Sequence, residues 1–557
     1  MNQIHFDTSE ICYQLGIRDA VFSPGSRNAP LSISFSRHPK IHTRVVVDER
    51  SAGFIALGIA QQTKKPVVIC CTSGTALLNY GPAIAEAYYS RTPLIILSGD
   101  RPSEWIDQWD GQTIRQQNVF RSFVKEFIQM PTSLNFEDAQ WAYHKKIVHG
   151  FHLANQSNIP VHINFPFREP FYPEKNQKLA FSQDIKIAKS YPAQNQPDCE
   201  ALINDWVNAK KKIIVIGQGH LSDDCINELT RLADQNIPII ADIISNGHNL
   251  IGVIQHHDLF LDNKILQGYL KPDLLVTFGK SIISKNLKLF IRKSLATQWH
   301  IDSQPELQDP FQRLSGIIEG NPEQVLYHLI DPGQQSQVFA NLWKEAQDQT
   351  AQLLNRYKAP HSEFSAMRKI LKKIPKDIQI HLGNSMPVRY ANFLGIAPSA
   401  SRIWANRGTS GIDGSNGTAI GHALSSNQLS LLVTGDLSFL YDRNAFFHNE
   451  NLSNMRIIVL NNFGGGIFDL ISGPETFDLL EKNKFLISSH KKNLRHSALD
   501  MGFEYHKCDE SSELNALLKH FFETSGVGKL LEIQTQHTIN KQVFKTLKKI
   551  IYEHKFI

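Results

Sequence analysis

The sequence predicts an α/β protein made of three consecutive doubly wound domains with mainly parallel sheets. Two observations carry this reading. Short β-branched runs alternate with helix-length apolar stretches, as strands joined by helical crossovers do, and the alternation occurs in three separate blocks. The chain of 557 residues also exceeds what one core serves, at roughly 100 to 200 residues per domain.

In the first block the runs VFS, TRVVVDE, KPVVICCT and TPLIILSG lie between residues 20 and 99, with helical stretches at 51–62 and 76–90. The second block opens near residue 210 with KKKIIVIGQG, IPIIADI and PDLLVTFGK. The third starts near residue 378 with IQIHLGNS, SRIWANRG, LSLLVTGD, MRIIVLNN and KLLEIQT. Polar, strand-poor segments separate the blocks, FREPFYPEKNQ at 167–177 and DPGQQSQ at 331–337. They place the domains at 1–180, 181–350 and 351–557.

Apolar residues at 41% and charged residues at 20% are ordinary globular usage and exclude a disordered or fibrous chain. A net charge of +5, spread among acidic residues, gives no footprint for nucleic acid. The N-terminus lacks a basic segment followed by an apolar core, and no stretch of 18 apolar residues follows, so a soluble, unexported, cytoplasmic protein without membrane contact is expected. The six cysteines show no CxxC spacing and no accompanying histidine cluster. They read as reduced, mostly buried thiols, and any metal must be held by oxygen ligands.

The most informative stretch runs from 431 to 468. Its apolar run LLVT ends in Gly435-Asp436, placing a carboxylate at the C-terminal end of a strand, where ligands bind in open parallel sheets. A helix is expected next, then the strand MRIIVL, then Asn461-Asn462 and Phe463-Gly464-Gly465-Gly466. Neighbouring strand ends would bring Asp436, the amide oxygen of Asn462 and the glycine backbone into one all-oxygen pocket. Mg²⁺ prefers such ligands and is commonly completed by phosphates and water, while glycines keep Cβ atoms clear of a diphosphate. Alone, Gly-Asp at a strand end also reads as a turn; the Asn-Asn pair 26 residues further on distinguishes it.

Gly435-Asp436 followed by Asn461-Asn462 is similar to the signature of the thiamine-diphosphate enzyme superfamily, although Leu437 stands where many members carry a third glycine. The resemblance implies the thiamine-diphosphate-binding fold, with Asp436, Asn462 and the carbonyl of Gly464 ligating Mg²⁺, Mn²⁺ being the alternative metal. In VVVDERSAGFIALGIA, Asp48 and Glu49 end a strand and open a helix. By position alone they also read as an ordinary helix cap. The superfamily places its activating glutamate in the N-terminal domain, which implies that Glu49 is the catalytic carboxyl bonding the cofactor's pyrimidine. It further implies that the N-terminal pyrimidine-binding and C-terminal diphosphate-binding domains meet across subunits of a homodimer or homotetramer.

Six further segments, SPGSRN (23–28), DERSAGFIALG (48–58), SGDRPSE (98–104), PVHINFPFREP (160–170), NRGTSGIDG (406–414) and NNFGGGIF (461–468), resemble one branch, the 2-succinyl-5-enolpyruvyl-6-hydroxy-3-cyclohexene-1-carboxylate synthases of menaquinone biosynthesis. The resemblance implies that 2-oxoglutarate loses CO₂ and its succinyl unit adds to isochorismate. Both substrates carry two carboxylates, for which arginine's planar fork is suited. The match assigns Arg27, Arg101, Arg389 and Arg407 to substrate recognition, with Ser26, Gln112, Lys285 and Ser385 beside them. Ile412 looks like the apolar wedge that bends the cofactor, with Ile467 and Phe468 as walls.

Another thiamine enzyme, such as an acetolactate synthase, is the nearest alternative, but monocarboxylate substrates need fewer arginines. A nucleotide-dependent oxidoreductase is suggested by VIGQGH at 215–220, yet Ser222 replaces the third fingerprint glycine,, and no flavin is expected. Intact Glu49, Asp436 and Asn462 oppose a catalytically dead relative. His256-His257 reads as structural or surface.

Overall fold

The computed structural model describes the chain except for residues 176, 184, 186, 188–195, 331–334, 398–401, 471, 472 and 557. Thus residue 176 of the first expected linker and 331–334 of the second lie outside the described residues.

Three sheets are present, and every strand pairing in them is parallel. The first contains β1 (Asp19–Phe22), β2 (His42–Val45), β3 (Val67–Cys71), β4 (Leu94–Asp100), β5 (Phe127–Gln129) and β6 (Val161–Pro166), in the spatial order β2-β1-β3-β4-β6-β5. The second contains β7 (Lys212–Ile216), β8 (Ile239–Ala241), β9 (Leu274–Phe278), β10 (Thr297–Asp302) and β11 (Leu314–Glu319), ordered β11-β10-β9-β7-β8. The third contains β12 (Gln379–Leu382), β13 (Ile403–Trp404), β14 (Ser430–Gly435), β15 (Met455–Asn461), β16 (Glu504–Cys508) and β17 (Lys529–Gln534), ordered β13-β12-β14-β15-β17-β16. The first and third sheets therefore share one winding. Strands β3, β4, β9 and β15 are buried at every position, which is why they read as continuous apolar runs.

The shared winding brings equivalent crossover helices together. Helix Glu49–Thr63 joins β2 to β3, helix Ser415–Leu424 joins β13 to β14, and the two pack on each other. They touch through backbone: a Cβ on Gly421 would lie 2.2 Å from the Ile55 carbonyl oxygen and 2.8 Å from Gly58 Cα, and one on Gly58 would lie 2.1 Å from the Thr418 carbonyl oxygen. Glycine is required there by proximity. Gly421→Ala is expected to destabilise the protein by about 3 kcal/mol, the upper range for overpacking a close contact, read as a lowered denaturation midpoint.

One detail departs from the sequence expectation. The stretch 76–90 is two helices, Thr75–Asn79 and Gly81–Tyr89, because Pro82 lacks the N–H needed to continue the first,. Residue 350 falls inside helix Gln337–Arg356, whose Trp343 packs against Phe260 and Phe290. We therefore propose that the third domain begins after Arg356. The six cysteines are all buried and free, and among the described residues no helix is long and apolar enough to cross a membrane.

Candidate active site

In the third sheet β14 and β15 run level, Gly435 pairing with Leu460, so the residues leaving their C-terminal ends are neighbours. Asp436 and Asn462, both buried, converge on one amide: Gly464 N–H donates to Asp436 Oδ2 at 2.9 Å and to Asn462 Oδ1 at 3.0 Å. The expected helix opens at Asp436 and ends at Tyr441, and the carboxylate of Asp442, its C-cap, takes the Gly417 N–H at 2.8 Å. An added Cβ on Gly464 would lie 2.8 Å from the Ile487 carbonyl oxygen, and one on Gly466 2.8 Å from Asn462 Nδ2. Beside Gly435, by contrast, a Cβ meets nothing within 4 Å.

Several groups around this pocket carry no sequence signature. Glu363, the first residue of helix Glu363–Lys373, accepts from Asn462 Nδ2 at 2.5 Å. Burial lifts its carboxyl to about 7, with the Asn462 hydrogen bond opposing and the Asp436 charge assisting. His490 Nε2 lies 3.1 Å from Asp436 Oδ2, and His537, near Asp469, has a buried Nε2 without a partner beside the glycine loop. No group of three or more His, Cys, Asp and Glu side chains forms a metal cluster among the described residues. The convergent carboxylate and amide oxygens, the glycine backbone and the open space at Gly435 fit Mg²⁺ and a diphosphate.

Ile412 is 41% exposed, and its carbonyl is tied at 2.6 Å to the hydroxyl of Ser438, two residues after Asp436. Ile467 and Phe468 follow the glycines, both half-buried, with Ile467 packed on the core.

Glu49 opens its helix as expected, while Asp48 is the cap, taking the N–H groups of Arg50 and Ser51. The Glu49 carboxylate is half-buried and accepts from Asn79 Nδ2 at 3.4 Å. Among the described residues it makes no hydrogen bond or ion pair with Asp436, Asn462 or the glycine loop of its own chain. Val45, Val47 and Leu78 nearby are exposed.

The arginines fall into two pairs beyond the C-terminal ends of strands of the first and third sheets, the end where ligands bind in open parallel sheets,. Arg27 follows β1 and is buried; its N–H donates to Thr72 Oγ1, beyond β3, at 3.2 Å, and its guanidinium lies 4.4 Å from the Phe171 ring centre. It shares a cavity of about 310 Å³ with Arg101, which pairs with Asp110 at 3.1 Å. Ser26 and Gln112 are exposed, and the Gln112 backbone covers Gly74. In the third domain Ser385 holds a left-handed φ of 70° before helix Met386–Leu394 and accepts from Arg389 at 2.6 Å. Arg407 is buried, donates to Asn384 Oδ1 at 3.1 Å and leaves its Nε without a partner among the described residues. Burial first, and then neighbouring Arg389, lower its pKa.

Buried carboxylates position loops in the third and middle domains. Glu86, from the first domain, takes the N–H groups of Gly408 and Thr409 at 2.8 and 2.7 Å. In the middle domain Asp242 takes the Ile283 N–H and meets His257 Nε2 at 3.1 Å, while Asp258 accepts from Ser284 at 2.5 Å. Those contacts anchor the start of helix Lys285–Arg292, where Lys285 is exposed; Lys288, one turn on, turns inward to the Ile282 carbonyl at 3.0 Å. His256 and His257 are both buried, so of the two expectations the structural one holds.

Comparison with known proteins decides the family. Residues 7–120 match the model for the thiamine pyrophosphate enzyme N-terminal binding domain, and 182–382 the one for the middle domain of thiamine pyrophosphate enzymes. The 2-succinyl-5-enolpyruvyl-6-hydroxy-3-cyclohexene-1-carboxylate synthase of Cytophaga hutchinsonii is 42% identical, with 99% of each chain covered. The chain belongs to this synthase family. Proteins of the same name from Christiangramia forsetii and Flavobacterium johnsoniae are 37% and 36% identical, over 96% of both chains and over 97% of this chain and 98% of the relative. A benzoylformate decarboxylase from Polynucleobacter necessarius, 15% identical, shares the fold with a TM-score of 0.70 over 96% of this chain and 99% of its own. The protein is accordingly a thiamine-diphosphate-dependent transferase of menaquinone biosynthesis.

Proposed function

We propose that the synthase decarboxylates 2-oxoglutarate and joins its succinyl unit to isochorismate, working in the cytoplasm as a homodimer or homotetramer. The grouping of four arginines into two pairs, Arg27 with Arg101 and Arg389 near Arg407, carries this reading. Two dicarboxylates supply four anionic groups, and a buried guanidinium such as Arg407 with an open Nε favours a carboxylate partner. Bound thiamine diphosphate supplies a nucleophilic carbon and an electron sink.

Asp436, Asn462 Oδ1 and the Gly464 carbonyl hold Mg²⁺, with Mn²⁺ as the alternative, and the metal anchors the diphosphate. Glu49 holds a proton at the pyrimidine ring nitrogen. Ile412 would pack against the bound cofactor, and Ile467 and Phe468 would keep water from it. Ser26, Arg27, Arg101, Gln112, Lys285, Ser385, Arg389 and Arg407 receive the substrates. The exposed Val45, Val47 and Leu78 support burial of the Glu49 face against a second copy, since apolar groups grouped on a surface mark an interaction site.

The test is substrate choice. With isochorismate present, 2-oxoglutarate is expected to exceed pyruvate in kcat/KM by more than about 100-fold, as a site built for a second carboxylate rejects its absence. Equal use of pyruvate would favour an acetolactate-type reaction instead. Arg407→Ala should lower kcat/KM roughly 30-fold, equivalent to about 2 kcal/mol for a truncated buried charge partner, with thiamine diphosphate affinity unchanged.

A further inference from the structure

We infer that Glu363 is a positioning residue that fixes Asn462 with its amide oxygen turned toward Asp436; the inference rests on the metal reading proposed above. The two ends of a carboxamide are nearly equal in size and opposite in hydrogen-bonding sense. A cation is served by the oxygen and opposed by the N–H groups, so an asparagine ligand must be held in one of two orientations. The geometry holds Asn462 from both ends. Nδ2 donates to Glu363 Oε1 at 2.5 Å, and Oδ1 accepts from Gly464 N at 3.0 Å, beside Asp436 Oδ2, which accepts from the same N–H at 2.9 Å. Reversal would set Oδ1 against a carboxylate oxygen and Nδ2 against an N–H.

Glu363 is itself held. Ser362 caps its helix, and the Glu363 backbone N–H donates to Asn540 Oδ1 at 2.9 Å. Asn540 is fixed in turn by Thr535 Oγ1 at 3.0 Å. The carboxylate comes from a helix far upstream of the strand that delivers Asn462, so the contact joins two separately placed elements at the pocket. Groups that orient a metal's ligands typically affect metal affinity about 10- to 100-fold.

The experiment uses full-length apoprotein, with thiamine diphosphate binding followed by tryptophan fluorescence across a Mg²⁺ titration, so that turnover is not the readout. Glu363→Ala is expected to raise the Mg²⁺ concentration for half-saturation roughly 10- to 100-fold, with no further loss when Asn462 is already alanine. Asn462→Asp should be impaired by facing carboxylates. Adding Glu363→Gln should restore most of the affinity, because Gln can donate to one Asp oxygen and leave the other for the metal. The swap keeps side-chain volume at both positions and decides the matter if Glu363→Ala does not fold. Wild-type metal dependence in Glu363→Ala, or no recovery in the swap, would overturn the inference. If Asp436→Ala, titrated in parallel, also retains wild-type metal dependence, the metal reading itself has failed.

Discussion

Asp436→Ala is expected to weaken Mg²⁺-dependent thiamine diphosphate binding by more than the roughly 10- to 100-fold that loss of an outer-sphere partner brings. Asp436 is the carboxylate of the proposed ligand set and is buried at a strand end, level with the exit of β15. Its removal leaves Asn462 and the Gly464 carbonyl, neither of which carries charge, to hold a divalent cation. The Gly464 N–H also loses one of its two acceptors, so the loop that lines the pocket is expected to loosen. Equilibrium titration of the apoprotein with cofactor at several Mg²⁺ concentrations measures the effect. An unchanged cofactor affinity would remove Asp436 from the metal site.

Glu49→Gln should separate binding from chemistry. The diphosphate anchor lies in the third domain and Glu49 in the first, so cofactor affinity is expected to stay within a few-fold of wild type. Turnover should fall by about 10² to 10⁴, the usual contribution of a positioned proton-transfer group, because the neutral amide has no acidic proton to hold at the pyrimidine. Steady-state kcat beside direct cofactor binding measures both quantities. Wild-type turnover would refute the assignment of Glu49.

Much of this arrangement was legible in the sequence because it is local. Strands buried on both faces read as apolar runs, and the Gly-Asp to Asn-Asn spacing is one strand–helix–strand unit, so adjacent strand ends bring Asp436 and Asn462 together as expected. The contact of Asp442, at the end of the intervening helix, with Gly417 was not legible, since Gly417 lies in another element. Nor were the groups that hold the site from a distance. Glu363 looks like any acidic first-turn residue, Glu86 like any helical glutamate, and only the tertiary fold turns them toward Asn462 and the Gly408 amide. The arginines were recognisable by motif, but that Arg27 and Arg101 line one cavity is visible only in the folded chain.

The most direct test of the proposed reaction is CO₂ release from 2-oxoglutarate by the purified protein with thiamine diphosphate and Mg²⁺, measured with and without isochorismate while isochorismate loss is followed in parallel. Sustained CO₂ release only with both substrates, one isochorismate consumed per CO₂, is the result predicted. Sustained release that ignores isochorismate would contradict it.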